Sequence, residues 1–263
     1  MGVLNITPDS FSDGGFYNDP QAAYAQAQLM HFQGAEIIDV GAESTKPGAE
    51  RIEAFVEQQR LLPVLTELAE VVDLSVDTMN ASTAEIALSM GAMYINDVSG
   101  GLADQDMHKV MANSSAHYIL SHWRGHSKDM YREADYQNVA SEVVSEIKKQ
   151  VDRAVSAGVN PEKIIVDPGL GFNKDMGQNW ELVARLDQLR TLGLPILVGH
   201  SRKKFLTSAL DPEFMEMDNS RRDLATAVLT ALLMQHQLWG IRVHNVQASM
   251  DAINLVEQLG KFE

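Results

Sequence analysis

No cysteine occurs among the 263 residues. That excludes disulfides, thiolate metal sites and thiol nucleophiles, so any metal has to be held through oxygen or imidazole. Long apolar runs are missing as well: none approaches the roughly 18 residues of a membrane span, and the amino terminus lacks the basic-then-apolar pattern of a signal peptide. These absences predict a cytoplasmic protein with no membrane partner. Positive charge is scarce, 21 Lys and Arg against 36 Asp and Glu, for a formal net charge of -15. Nucleic acid is therefore a poor partner, because its affinity rests on neutralised phosphates. A small anionic ligand would need cations gathered locally.

What the chain does have is alternation. Eight short apolar runs, GVLNI, AEIIDV, DLSVD, AMYIND, AHYILS, KIIVDP, PILVGH and GIRVHN, are separated by longer stretches. PQAAYAQAQLMHFQG, IEAFVEQQRLLPVLTELAE, NVASEVVSEIKKQVDRAVSAG and NWELVARLDQLRTLG carry apolar residues at three- and four-residue spacing and often stop at Gly. Strand and helix in alternation argue for parallel βαβ units, and eight of them in this length argue for an α/β fold of the (β/α)8 TIM-barrel type. An open doubly wound sheet is the alternative. No linker or low-complexity segment interrupts the series, which predicts one domain over residues 1–263.

Each run ends in polar residues: Asn5, Asp39, Asp77, Asn96 with Asp97, Ser121 with His122, Asp167, His200 to Lys203, and Arg242 with His244 and Asn245. At any single position a turn or a helix cap accounts for such a residue. Eight in series predict a site at the carboxyl ends of the strands, where the βα loops open onto one face. Asp77, Asn96 and Asp167 offer acceptors and one amide, suited to a planar heterocycle with adjacent ring N–H and amino donors, such as an aminopyrimidinone. Lys203, Arg242 and His244 supply donors for a ring carbonyl and for phosphate oxygens. The expected rim is thus anionic in one half and cationic in the other. Asn5 and Asp13 offer the oxygen ligands that Mg2+ prefers, with a diphosphate completing its shell. Gly14, Gly15 and the glycines flanking STKP would let the first two loops move over a ligand.

NITPDSFSDGG, GAESTKPGA, SVDT, INDVSGG, DPGLGF, SRKKF and RVHNV, in this order and spacing, resemble the successive signature segments of the dihydropteroate synthase family, over essentially the whole chain. The resemblance implies an enzyme of folate biosynthesis that joins 6-hydroxymethyl-7,8-dihydropterin diphosphate to p-aminobenzoate, giving 7,8-dihydropteroate and diphosphate. It places the pterin among Asp77, Asn96, Asp167 and Lys203. The diphosphate falls to Asn5, Thr45, Arg242 and His244, with Mg2+ on Asn5 and Asp13. Thr45, Lys46, Pro47, Phe172 and Lys203 would shape the aminobenzoate pocket, and Lys203, Asp167, Arg242, His244 and Asp13 would carry the catalysis. The polar stretch after MGVL then becomes a lid bearing a metal-facing aspartate. Sulfonamides are implied as inhibitors and a homodimer as the assembly.

The pattern is not followed everywhere. Lys46 stands where the family usually has Arg, Asn245 where Asp follows Val-His, Asn173 at a small-residue position, Ser121 where Met is usual, and Lys204 where Ser is frequent. These departures bear on affinity and sulfonamide response more than on the reaction. A methyltetrahydrofolate methyltransferase-like barrel shares the heterocycle grip, but the STKPG loop and the RVH strand end argue against it. A non-catalytic pterin-binding paralogue, motivated by Lys46 and Asn245, would bind without releasing diphosphate. His122, Trp123, Arg124 and His126 are expected to be a structural loop, with Trp123 packed and the charges solvated. Arg221, Arg222 and Asp223 are expected to begin the helix after strand seven. That helix and the next, around LATAVLTALLMQHQLWG, are apolar on more than one face, as a dimer contact would require.

Overall fold

Eight parallel strands alternate with helices in this computed structural model, which describes residues 1–7, 20–43, 51–69, 71–125, 134–210 and 218–262. The strands are β1 Gly2–Asn5, β2 Ile37–Gly41, β3 Asp73–Asp77, β4 Tyr94–Asp97, β5 His117–Ser121, β6 Ile164–Asp167, β7 Leu197–Val198 and β8 Gly240–Ile241. Between and after them lie α1 Pro20–Phe32, α2 Ala54–Leu68, α3 Ala81–Ser89, α4 Met107–Ala112, α5 Val139–Ser156 and α6 Met176–Ala184. After β7 come α7 Lys204–Ser208 and α8 Asn219–Leu233, and α9 Val246–Gly260 follows β8.

β1 to β6 pair in chain order, β7 pairs with β8, and two bridges close the ring, Val166 with Ile196 and Gly2 with Val243. Across the last seam the Val3 N–H donates to the Val243 carbonyl at 2.9 Å and the Val243 N–H to that of Met1 at 3.0 Å. The sheet is therefore a barrel and not the open doubly wound alternative; closure leaves no edge unpaired among the described strands.

Side-chain parity along the strands explains how a polar site can sit on an apolar plug. Ile119, Ile165 and Leu197 form a small buried cluster with Met1 and Tyr94, separate from the main core. Because a strand repeats its facing every second residue, the residues two positions on share that inner side: Asn96, Ser121, Asp167 and Gly199. Residues of the opposite parity, including Ile38, Val40, Leu74, Val76, Leu120 and Val166, belong to the main core shared with the helices. One step of the pleat thus separates the plug from the chemistry.

The helices follow the spacing in the sequence, with instructive exceptions. α5 buries Val143, Ile147 and Ala154 on one face, and Asn138 caps it by accepting from the Ser141 N–H. α2 runs through Pro63, whose missing N–H is tolerated on an exposed face. The stretch NWELVARLDQLRTLG divides into α6 and a 3-10 segment, Leu186–Leu192, that stops at Gly193 in the left-handed region, φ 67°. LATAVLTALLMQHQLWG is not two helices: it lies in α8 and a 3-10 turn, Met234–His236, before β8. α8 itself begins earlier than Arg221, capped by Asp218, whose side chain accepts from the Arg221 N–H.

Candidate active site at the strand ends

β2, β3, β4 and β8 bring one hydrogen-bonded cluster together. The Arg242 guanidinium donates from Nε to Asp39 Oδ2 at 2.5 Å and from Nη2 to Asp77 Oδ2 at 2.7 Å. Asn96 donates from Nδ2 to the same Asp39 oxygen at 3.0 Å. The register makes this possible, since Asp77 and Asn96 are direct partners across β3 and β4. The expected division into anionic and cationic halves is therefore corrected: Arg242 reaches across the rim and is held by two carboxylates. Asp39, a strand residue with no assigned role in the sequence argument, is the hub. Its signal was present in the parity of IIDVG, which puts Asp39 on the polar inner face.

Asp167 and Lys203 occupy the other side. Asp167 ends β6 and accepts at Oδ1 from the Gly169 N–H at 2.7 Å. Lys203 follows β7, with Nζ 4.0 Å from the Phe172 ring centroid, so the cation lies over the aromatic face. Gly171 permits that contact: at φ 78° it takes a backbone shape side chains avoid, and a Cβ there would stand 2.7 Å from Lys203 Cδ. Gly199 likewise leaves room beside Asp167, whose Oδ2 a Cβ would approach to 3.3 Å.

Burial sets the charge states. It raises Asp77 to about 7, against the opposing pull of Arg242, with Asp39 adding to the rise. Burial also raises Asp167, partly offset by the Gly169 N–H and Lys203. The same desolvation lowers Lys203 to about 8, with Asp167 resisting. For Arg242 desolvation pulls down, but Asp39 and Asp77 outweigh it and hold the guanidinium charged. Ionisable groups poised this close to neutrality, gathered at one barrel rim, have the character of an active site.

Asn5 and His244 line a cavity of about 210 Å³, together with Arg202, Asn245, Gln26 of α1 and Gln33 just after it. Asp39, Asp77, Asn96, Asp167 and Arg242 are not among the residues that line it. His244 is braced by Ser201, whose Oγ lies 2.9 Å from Nδ1 and accepts the His244 N–H at 3.1 Å. Among the described residues no group of three acidic or imidazole side chains could hold a metal. Asn5 alone of the two expected Mg2+ ligands can be placed; Asp13, Thr45, Lys46, Pro47, Gly14, Gly15 and His126 lie outside the described residues.

Other strand-end residues turn out to be structural. Asp97 faces away from Asn96 and accepts from Ser99, Gly101 and the Tyr118 hydroxyl. His200 is buried against Thr226 and Thr230, and burial lowers it to about 4. Arg124 pairs with Glu142 and Glu146 and lies 3.7 Å over the Tyr136 ring, and His122 is fully buried, so the loop's charges are paired within the fold and not solvated as expected. Ser121 ends β5 on the inner face, and Lys204 is exposed at the start of α7. Asn173 adopts the left-handed region, φ 49°, which Asn tolerates better than most residues, and its Oδ1 accepts from the Arg124 N–H at 3.1 Å.

Asn245 is a helix cap. Its Oδ1 accepts from the Ala248 N–H at 3.0 Å, opening α9, while its Nδ2 donates to Asp223 Oδ2 at 3.2 Å. Asp223 in turn holds Arg202 through two bonds, 2.7 and 3.0 Å. Asn245→Asp keeps an effective cap but loses that donation and sets a carboxylate beside another. We expect kcat/KM within about threefold of the parent and a loss of roughly 1 kcal/mol in denaturant unfolding. A gain of several orders of magnitude in activity would show instead that the natural chain is a degenerate paralogue.

The family description "Pterin binding enzyme" matches residues 1–244. A curated relative, the dihydropteroate synthase of Mycobacterium leprae, is 45% identical over 261 residues, covering 97% of this chain and 91% of its own. Among solved structures, the Yersinia pestis dihydropteroate synthase in complex with a sulfonamide drug superposes with a TM-score of 0.92 at 34% identity, covering 99% of this chain and 94% of that one. The Xanthomonas albilineans enzyme in complex with 7,8-dihydropteroate gives a TM-score of 0.85 at 30% identity, covering 99% and 92%.

Proposed function

Because this chain belongs to the pterin binding enzyme family and carries out the dihydropteroate synthase reaction of folate biosynthesis, we propose how its rim residues divide that work. Asp77, Asn96 and Asp167 grip the donor edge of the dihydropterin, and Lys203 takes its ring carbonyl. Asp39 supports the grip through Asn96 and Arg242. The observation that carries this reading is the union of three strand-end carboxylates with Arg242 and Lys203 on one inner face.

The bond from the pterin methylene carbon to the diphosphate oxygen breaks first, and the weakly basic arylamine then attacks the delocalised cation. Negative charge grows on the departing diphosphate, so Arg242 and His244, with Asn5 and Thr45 positioning it, stabilise the transition state more than the ground state. Asp77 and Asp167 favour positive charge on the ring. Lys203 and Phe172 wall the aminobenzoate pocket, which sulfonamides would occupy in competition. Asn5 would offer one neutral oxygen to Mg2+ carried in by the diphosphate. When bound, the ion would neutralise charge on the leaving group.

The test is to follow diphosphate and dihydropteroate in one tube, from hydroxymethyl-dihydropterin diphosphate and Mg2+, with and without p-aminobenzoate. Matched production of both is expected; tight pterin binding without turnover would sink the reading in favour of a binding paralogue.

A homodimer is proposed through α8, whose Leu224, Val228 and Leu232 are exposed at four-residue spacing along one stripe. Sedimentation at micromolar concentration should give twice the chain mass, and Val228→Glu should shift it to a monomer; a monomeric parent would dispose of the idea. No helix of the described residues is long and apolar enough to cross a membrane, and the cytoplasm is the proposed location.

A further inference from the structure

Behind the rim lies a buried lysine the reaction does not use; desolvation lowers it to about 7, with Asp167 resisting, and three acceptors favour its protonated form. Lys174 is 2% exposed, and its ammonium donates to three acceptors: His122 Nδ1 at 2.9 Å, the Gly169 carbonyl at 3.0 Å and the Phe172 carbonyl at 3.0 Å. Burying an ammonium is costly unless each of its donors is satisfied, and here all three are. His122 is fully buried, and its Nε2 lies 2.8 Å from Glu146 Oε2 on α5. An ammonium at Nδ1 requires the lone pair there, so the proton sits on Nε2 and is donated to Glu146. Desolvation, with Lys174 adding to it, lowers the His122 imidazole to about 3, which keeps it neutral and able to accept.

We propose that Lys174 is a positioning residue for the condensation: it clamps the turn between Asp167 and Phe172 and thereby sets the aminobenzoate wall relative to the pterin grip. The two carbonyls it binds bracket that turn. Within it, the Gly169 N–H donates to Asp167 and the Phe172 N–H donates to the Gly169 carbonyl at 3.1 Å. Gly169 packs so closely on the β5 loop that a Cβ would stand 2.3 Å from the His122 carbonyl. The two ends of the turn are held unequally. Asp167 is fixed in the sheet, opposite Ser121 and with its carbonyl accepting from the His122 N–H at 2.9 Å. Phe172 lies beyond the strand, where two links reach buried structure: the Gly171 N–H donates to Oδ1 of buried Asn179 at 2.6 Å, and Lys174 binds the Phe172 carbonyl itself. Loss of the clamp should move Phe172 and the cation above it more than Asp167.

The proposal rests on the site assignments made above, and the unaltered protein separates the two. Should the parent make no dihydropteroate, those assignments fail; should it turn over normally, the variants judge the clamp. Lys174→Met is expected to raise KM for p-aminobenzoate by about tenfold or more, while the Kd for hydroxymethyl-dihydropterin diphosphate changes by less than about threefold. A second pair covers the case in which Lys174→Met does not fold. His122→Asn places an amide oxygen near the position of Nδ1 and should keep the aminobenzoate KM within about threefold of the parent, whereas His122→Leu should reproduce the tenfold rise. An unchanged aminobenzoate KM in Lys174→Met, or an Asn variant as impaired as the Leu variant, overturns the proposal.

Discussion

Arg242→Met should lower kcat/KM by about three orders of magnitude and at the same time destabilise the fold by about 3–5 kcal/mol. Both effects come from one guanidinium. It bridges Asp39 and Asp77, at 2.5 and 2.7 Å, and its side chain is only 18% exposed. Without it two buried carboxylates face each other with Asn96 as the nearest compensating donor, which is the situation in which removing one partner of a buried pair is most costly. The catalytic loss arises separately, because charge develops on the leaving diphosphate and a fixed cation contributes most where charge is growing. Arg242→Lys separates the two. An ammonium keeps the charge but cannot present two planar N–H groups to carboxylates on different strands, so stability should recover only in part. Denaturant unfolding and steady-state kinetics on the same preparations check this. Lost stability with kcat/KM unchanged would make Arg242 a strut and remove it from catalysis.

How much of this was legible in the sequence follows from what the pleat and the turns dictate. Eight apolar runs ending in polar residues give the barrel and the rim, because a strand's parity passes from plug to site in two residues, as in Ile165 to Asp167. The pairing between elements was not legible. That Arg242 meets Asp39 and Asp77 depends on the closure of β8 against β1, a contact between opposite ends of the chain. Of Asn96 and Asp97 the sequence argument took Asn96 for the grip on its amide and on the family resemblance; parity alone does not decide, since either suits a four-residue strand, and the register puts Asn96 inward. Lys174 gave no signal as a site residue because it lies beyond a strand end in a turn, and only the fold brings it under Gly169 and Phe172. Asn245 read as a missing carboxylate; in place it is an amide that accepts on one side and donates on the other, which a carboxylate cannot do.

Affinity for the pterin substrate should follow a bell-shaped curve in pH with its maximum between about 7 and 8. Asp77, raised to about 7, must be ionised to accept two donors, so affinity falls about tenfold per unit as the pH drops below that value. Lys203, lowered to about 8, must be protonated to donate to a ring carbonyl, so affinity falls again above it. Asp77→Asn should bind about 10 to 100-fold more weakly at neutral pH and lose the acid limb. Titrating both proteins with the same ligand from pH 5.5 to 9 isolates the limb that belongs to Asp77, because the ligand's own ionisation is common to both. An acid limb of equal slope in the variant would refute the assignment. The stability of the empty protein should run the other way. Asp77 binds its proton more tightly folded than unfolded, so its contribution is full below about 4 and lost as pH rises through about 7. Lys203 binds its proton less tightly folded, so its contribution is present above about 10 and lost as pH falls through about 8. The interval in which these two groups favour the empty fold least is therefore the interval in which they hold the pterin best. That opposition is what charges desolvated in advance of the ligand require: the fold carries the cost of burying them, and the substrate's complementary donors and acceptor relieve it on binding.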